Sequence, residues 1–244
     1  MAAIETCLKK VTGGEFGDFS EQQLVDCGYQ QNGANGCNGA PTYSYIQYVA
    51  DSSMELTHES TYPYLNTAPT LTCPTTEPYK TGAKVVESYY TYSGDEEQLK
   101  VAVAEHGTVV TSVAAAGPFS NYGGGVFSGC TNSNTDHAVT VVGYGTANGE
   151  DYWLIKNSWG TGWGEGGFIR LKRGVGMCGV GRALAVPSCG KVGGATSAPL
   201  TTAKPCVDKY SNCADLAKTN CKKYGESCAK VSWDGAFRAE LFTP

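Results

Sequence analysis

The chain has 244 residues, 41% hydrophobic and 17% charged, enough to bury a sizeable core in one or two globular domains. Its net charge of −5, with no Lys/Arg cluster beyond "KRG" and "CKKY", argues against nucleic acid or an anionic membrane as the main partner, and no apolar run approaches the ~20 residues of a membrane span. Eleven cysteines with no C-x-x-C spacing speak for disulfides in an oxidising compartment rather than metal knuckles, and the odd count leaves one over.

The opening "MAAIETCLKK" has no basic start and carries Glu5 early, so it reads as a helix entered in its middle rather than a signal peptide. "FSEQQLVDC" follows, with Ser20 as N-cap and Gln23 three residues on, a capping box for a short second helix. After the Gly/Asn loop "GYQQNGANGCNGAP", the spacing in "APTYSYIQYVADS" predicts a third helix. Residues 51 to 82 are irregular, with turn signals at Pro63, Pro69, Pro74 and Pro78.

The character then changes. "AKVVESYYTY" predicts a strand, "DEEQLKVAVAEHG" a helix closed by Gly107, and "TVVTSVAAA" a strand. "HAVTVVGYG", "DYWLIKNSW", "GFIRLKRG" and "RALAV" continue as strands between glycines, a meander or barrel. A helical half before a strand-rich half is an α+β pattern. The domain is expected over 1–187, with a helical lobe over 1–82 and an antiparallel β-barrel lobe over 83–187. "KVGGATSAPLTTAKP" makes 188–205 a flexible linker, 206–233 is a cysteine-rich module, and 234–244 is an unstructured tail.

Three histidines limit the chemistry. His58 in "LTHES" and His106 at a helix C-terminus read as surface residues. His137 differs, because it opens an apolar strand directly after Asp136. Taken alone it is as good a strand-edge histidine as a catalytic one. Asn157, at the end of the next strand segment, changes the balance. A thiol nucleophile needs an imidazole to hold it as thiolate, and the imidazole needs a third group to fix its ring and tautomer. A hairpin through "GYGTANGED" would set His137 beside Asn157, with Trp159 and Trp163 near enough to shield the pair. The Gly-rich "GYGTANG" and "GTGWGEGG" do not match a nucleotide-binding G-x-G-x-x-G and read as turns.

"DHAVTVVGYG…YWLIKNSWGTGWGEGGFIRLKRG" resembles the histidine and asparagine region of papain-family cysteine peptidases, the cathepsin L and papain group. "SEQQLVDC", "GCNGA", "TYPY" and "CGVGRALAVP" are similar to that family's other landmarks, in order, over about residues 1 to 187. The resemblance implies a two-lobed fold, an endopeptidase acting on polypeptides without metal or other cofactor, a monomer, and an inhibitory pro-segment in the precursor. It implies His137 as general base and imidazolium partner, Asn157 as its orienter, Trp159 as the shield, and Asp136 as the acidic neighbour of the histidine. The S2 pocket would be walled by the Gly39 and Ala40 backbone, with Ala138 and Ala183 making it small and apolar. Ala40 and Pro41 depart from the family's second glycine and aromatic residue.

The family's C-G-[SA]-C-[WY] nucleophile motif does not occur in the chain. "MAAIETCLKK" resembles the helix just after it, so the nucleophile is expected about six residues before Met1, and residues 1–244 would not cleave peptides by themselves. Cys7 would lie about three turns further down that helix. By resemblance Cys27 pairs with Cys73 and Cys130 with Cys178. Cys37 would pair with a cysteine just before the nucleophile, which accounts for the odd count. Cys7 and Cys189 are extra and are available to each other. "CVDKYSNCADLAKTNCKKYGESC" is similar to the sea-anemone-toxin-like (ShKT) module, which implies a Cys213–Cys228 bridge and leaves Cys206 and Cys221 without the module's remaining cysteines. The destination is the lysosome or the extracellular space. Two other readings stand beside this one: an inactive or silicatein-like homologue without the thiol, and a binding or channel-modulating protein that uses the ShKT-like module on a dead peptidase scaffold.

Overall fold

The computed structural model describes residues 1–14, 17–65, 73 and 81–192, with the backbone of 228–233 and 237–242. Three helices come first. α1 (Ala2–Thr12) buries Ala3, Ile4 and Leu8 and stops at Gly13, whose φ of 67° is the left-handed cap that glycine adopts without strain. α2 (Glu21–Cys27) starts at Ser20, whose hydroxyl accepts the Gln23 amide at 2.9 Å. Only this half of the expected capping box forms. The Gln23 side chain instead donates to the Glu55 carbonyl and accepts the Thr57 amide, sewing α2 to the 55–57 segment. The Ser20 amide, which a closed box would satisfy, goes to the Thr57 carbonyl. α3 (Ser44–Ser52) buries Ile46 and Val49 toward the same core.

The remaining elements are β1 (Ala83–Thr91), α4 (Glu96–His106), β2 (Val109–Val113), β3 (Val126–Phe127), β4 (His137–Ala147), β5 (Glu150–Lys156), β6 (Phe168–Lys172) and β7 (Leu184–Lys191). They form one seven-stranded sheet in the order β1-β7-β2-β4-β5-β6-β3, with β1 and β3 at its edges. All pairs are antiparallel except β3 with β6, so the sheet of the strand-rich half is mixed, within the expected α+β class. The β4–β5 hairpin turns on Asn148–Gly149, both at positive φ, the two-residue connection whose twist suits antiparallel strands. Within the ladder Gly145 faces Tyr152, whose hydroxyl end would have to shift for a Cβ there, at 2.8 Å. In β5, Trp153, Leu154 and Ile155 are all buried, as a strand covered on both faces demands.

Two cores result. Leu99 and Val103 of α4 pack with Val113, Val141, Trp153, Ile155, Ile169 and Leu171. Ile4, Leu8, Leu24, Ile46 and Val49 pack with Val85 of β1 and Ala185 and Cys189 of β7. A division at residue 83 therefore separates sequence more cleanly than it separates packing, since β1 and β7 contribute to the helical core. β7 also runs on to Lys191, so the strand crosses the expected end of the domain at 187, and 188–191 are sheet rather than linker. Pro187 is tolerated because β2 pairs with β7 only at Leu184 and Ala185, so the missing N–H has no ladder partner on that side.

Disulfides join Cys27 to Cys73, Cys130 to Cys178, and Cys7 to Cys189. The expected Cys213–Cys228 bridge, the residues Cys206 and Cys221, the turn signals at Pro69, Pro74 and Pro78, and the linker beyond 192 lie outside the described residues. The backbone of β8 (Cys228–Trp233) pairs antiparallel with β9 (Phe237–Phe242), so part of the tail expected to be unstructured is strand. Among the described residues no helix is long and apolar enough to cross a membrane.

Candidate active site

β4 begins at His137 because Asp136 clamps the chain there. The Asp136 amide donates to the Val113 carbonyl, and its Oδ1 accepts the Ala115 amide at 2.8 Å. The first residue pair of the β2–β4 ladder, Val113 with His137, is thus held from both sides. The carboxylate beside the histidine holds the backbone just past the end of β2, a structural use for the acidic neighbour.

Asn157 follows β5 directly. Its amide donates to the Gly167 carbonyl at 3.0 Å, closing a loop over 158–167. That loop is held by Glu165, whose carboxylate binds the Arg170 guanidinium and accepts the Gly125 amide at 3.1 Å. Burial opposes ionisation of Glu165, but the bonds from Arg170 and Gly125 and the Arg170 charge outweigh it and hold the carboxyl below the usual range. The Trp163 indole donates to the Ser120 carbonyl, fixing the middle of the loop against the opposite segment.

His137 Nε2 lies 2.8 Å from Asn157 Oδ1, which also accepts the Ser158 amide at 2.8 Å. The backbone donor at Ser158 identifies that atom as the oxygen, so Nε2 carries the proton and Nδ1 keeps its lone pair. Among the described residues Nδ1 has no hydrogen-bond partner. Asn157 is 7% exposed, and its Nδ2 is buried with no partner among the described residues. The Trp159 ring sits 4.9 Å from the imidazole, tilted by 33°, and packs edge-on against Phe119 and Trp163. With 41% of its surface exposed, Trp159 packs beside the imidazole and still meets solvent. An imidazole oriented this way, with one nitrogen engaged by Asn157 and the other without a partner among the described residues, can take a proton from an incoming acid and return it.

Beside the imidazole is a cavity of about 260 Å³ lined by Ala40, Pro41, Thr42, Tyr92, Ser112, Thr135, Asp136, His137, Ala138 and Ala183. Ala40, Ala138 and Ala183, three of the four residues expected to wall a substrate pocket, are part of this lining. Gly39 does not line the cavity: it turns the chain just before it, at a φ of 98°. The lining is also not purely small and apolar. Ser112, Thr135, Thr42 and Tyr92 bring hydroxyls that no motif announced. Ser112 is recognisable only through its pairing with Ala138 across β2 and β4, which puts both side chains on one face. His58 and His106 stand apart from this site; His58 bridges to Phe19, and burial with the nearby Lys10 charge lowers the His106 pKa. Cys7 is consumed by its disulfide. Cys37 is an exposed thiol one residue before Asn38 and is not part of the cavity lining. No group of three or more His, Cys, Asp or Glu side chains among the described residues could hold a metal ion.

The profile of the papain family cysteine proteases matches residues 1–188. The chain belongs to that family. It is 39% identical to papaya proteinase 4 of Carica papaya over 184 residues, 74% of this chain and 51% of that protein. It is 41% identical to a cathepsin L-like proteinase of Fasciola hepatica over 173 residues, 69% of this chain and 51% of that protein. The chain thus spans about half the length of these curated relatives. Among solved structures it is similar to digestive procathepsin L2 from Tenebrio molitor larval midgut, with a TM-score of 0.67 and 37% identity, covering 76% of this chain and 58% of that one. It is equally similar in fold, at 32% identity, to bromelain from Ananas comosus in complex with the inhibitor E64, covering 77% of this chain and 85% of that one. The fold is papain-like, α+β.

Proposed function

We propose that this chain is the larger part of a papain-like cysteine endopeptidase in which His137 is the general base and Asn157 its positioning residue. The observation that carries the reading is the 2.8 Å contact between His137 Nε2 and Asn157 Oδ1, which leaves Nδ1 as the basic nitrogen on the open side. A thiol there would give its proton to Nδ1, and the thiolate would attack the peptide carbonyl. His137 would then protonate the departing amine, and water would release the acyl group from sulfur.

The thiol is proposed to come from residues preceding Met1. Burial pushes the Met1 α-amine below its ordinary value, Glu21 and Glu5 pull it back, and the Lys156 charge lowers it again. The start of α1 is therefore in electrostatic range of Lys156, the residue just before Asn157. Six more residues of helix would reach about 9 Å further along the axis. A cysteine at the N-terminus of that helix would be held as thiolate by the helix dipole as well as by His137. Three disulfides favour an oxidising destination, the lysosome or the extracellular space. The proform of the Tenebrio relative supports a pro-segment in this protein too.

The test is mass-spectrometric mapping of the N-terminal peptides of the native protein. A cysteine followed by an aromatic residue about six positions before Met1 supports the peptidase. A serine at that position, or a native chain starting at Met1, leaves His137 and Asn157 without a thiol and ends the claim in favour of a silicatein-like or inactive homologue.

A further inference from the structure

The cavity beside His137 combines two kinds of surface. Three alanines and Pro41 supply small apolar walls, so space is left open rather than filled. Ser112 and Thr135 then place hydroxyl-bearing side chains at that space. Ser112 lies near the end of β2 on the face opposite Val109, Thr111 and Val113, and only 9% of its surface is exposed. No hydrogen bond from its hydroxyl joins it to the described residues, although the neighbouring Thr111 hydroxyl is fully engaged by the Ala183 carbonyl and the Gly181 amide. Thr135 has its methyl against Gly179, so closely that a Cβ on Gly179 would come within 2.9 Å of it. Thr135 is itself an exposed residue of the lining. At the far side Tyr92 is locked edge-on against Tyr43 and Tyr90, which are stacked at 4.1 Å. The cavity lining therefore combines a packed aromatic group at Tyr92 with the hydroxyl-bearing side chains of Ser112 and Thr135.

We propose, on the reading that a substrate side chain enters this cavity, that Ser112 and Thr135 are specificity-determining residues selecting a hydrogen-bonding side chain, hydroxyl or carboxamide, over an aliphatic one of the same shape. An aliphatic group pressed into the cavity strips water from both hydroxyls and returns nothing, whereas a hydroxyl or carboxamide replaces the lost bonds. Each hydroxyl both donates and accepts, so either orientation of a carboxamide is satisfied. The Asp136 carboxylate on the same lining disfavours an acidic occupant.

The experiment needs no catalysis. The ¹⁵N-labelled protein is titrated with acetyl-Ala-Xaa-Ala-amide peptides in shape-matched pairs, Thr against Val and Gln against Met, following the amides of Ser112, Ala138 and Ala183. Thr and Gln peptides are expected to bind about fivefold more tightly than their partners, the worth of one net hydrogen bond. In the Ser112→Ala/Thr135→Val double variant that preference disappears while the Val peptide still binds. Equal or tighter binding of Val and Met by the unmodified protein overturns the inference and leaves the peptidase reading intact. If no peptide moves these amides, the substrate-cleft reading itself falls and the inference with it. Should the double variant fail to fold, the paired comparison in the unmodified protein decides alone.

Discussion

Glu165 grips the guanidinium of Arg170 through both carboxylate oxygens while the same carboxylate accepts the Gly125 amide, so one side chain ties the 158–167 loop to β6 and to the glycine turn before β3. The pair is more buried than a surface ion pair, and removing one partner leaves the other charge only partly solvated. Arg170→Ala is expected to destabilise the fold by about 1–3 kcal/mol. It should also speed amide hydrogen exchange across 158–167, the loop that carries Trp159. Urea unfolding measures the first effect and exchange mass spectrometry the second. Unchanged exchange in that loop would mean that Trp159 is positioned by its aromatic neighbours alone.

Two carboxylates should give stability–pH slopes of opposite sign. Glu165 has a depressed folded pKa, so its contribution is present above the unfolded pKa and is lost as pH falls through the folded value. Glu5 has a raised folded pKa, caused first by burial and only partly offset by the Phe19 amide that it accepts at 2.9 Å. Its contribution is present below the unfolded pKa and is lost as pH rises through the folded value. Glu165→Gln should therefore cost most near neutrality and least in acid. Glu5→Gln keeps an acceptor for Phe19 and should gain stability near neutrality, with the gain vanishing in acid. Denaturant midpoints of the unmodified protein and the two variants from pH 3 to 7 check both signs.

Much of this was legible from residue types alone. His137 and Asn157 were readable because a hairpin with an Asn-Gly turn makes the partners of its two strands neighbours, and that turn is written in the sequence. The four helices followed from apolar spacing and caps. What was not legible depended on contacts distant in sequence. Gln23 carries a capping-box signal, yet it bonds to Glu55 and Thr57, whose approach no local pattern announces. β3 has two residues, too few for any periodicity. β7 continues past Pro187 because of how far β2 reaches, a property of a different strand. The hydroxyls of Ser112 and Thr135 became visible only when the sheet register and the Gly179 contact put them at one cavity.

The tautomer of His137 is a direct readout of Asn157. With Oδ1 fixed by the Ser158 amide, the imidazole should be almost wholly in the Nε2–H form when neutral. Asn157→Ala removes the acceptor, and the loss of one hydrogen bond of about 1 kcal/mol reduces the preference for that tautomer about fivefold. Long-range ¹H–¹⁵N NMR of the imidazole distinguishes the two forms. A tautomer ratio unchanged in the variant would show that Asn157 is a turn residue and not the positioning partner of the histidine.

The Cys7–Cys189 disulfide spans 182 residues and joins α1 to β7, the two ends of the described domain. Taken alone, closing so long a loop restricts the unfolded chain by about 5 kcal/mol on chain-entropy grounds. Two shorter loops, of 46 and 48 residues, are already closed inside it by Cys27–Cys73 and Cys130–Cys178, so the increment should be smaller. Cys7→Ala/Cys189→Ala is expected to lose about 2–4 kcal/mol of stability. Because Cys7 and Cys189 both belong to the helical core, amides of α1 should lose the most exchange protection and those of β5, in the other core, the least. Guanidinium unfolding of the double variant gives the magnitude, and residue-resolved exchange gives the distribution. A uniform loss across both cores would instead mean that the whole domain opens as one cooperative unit.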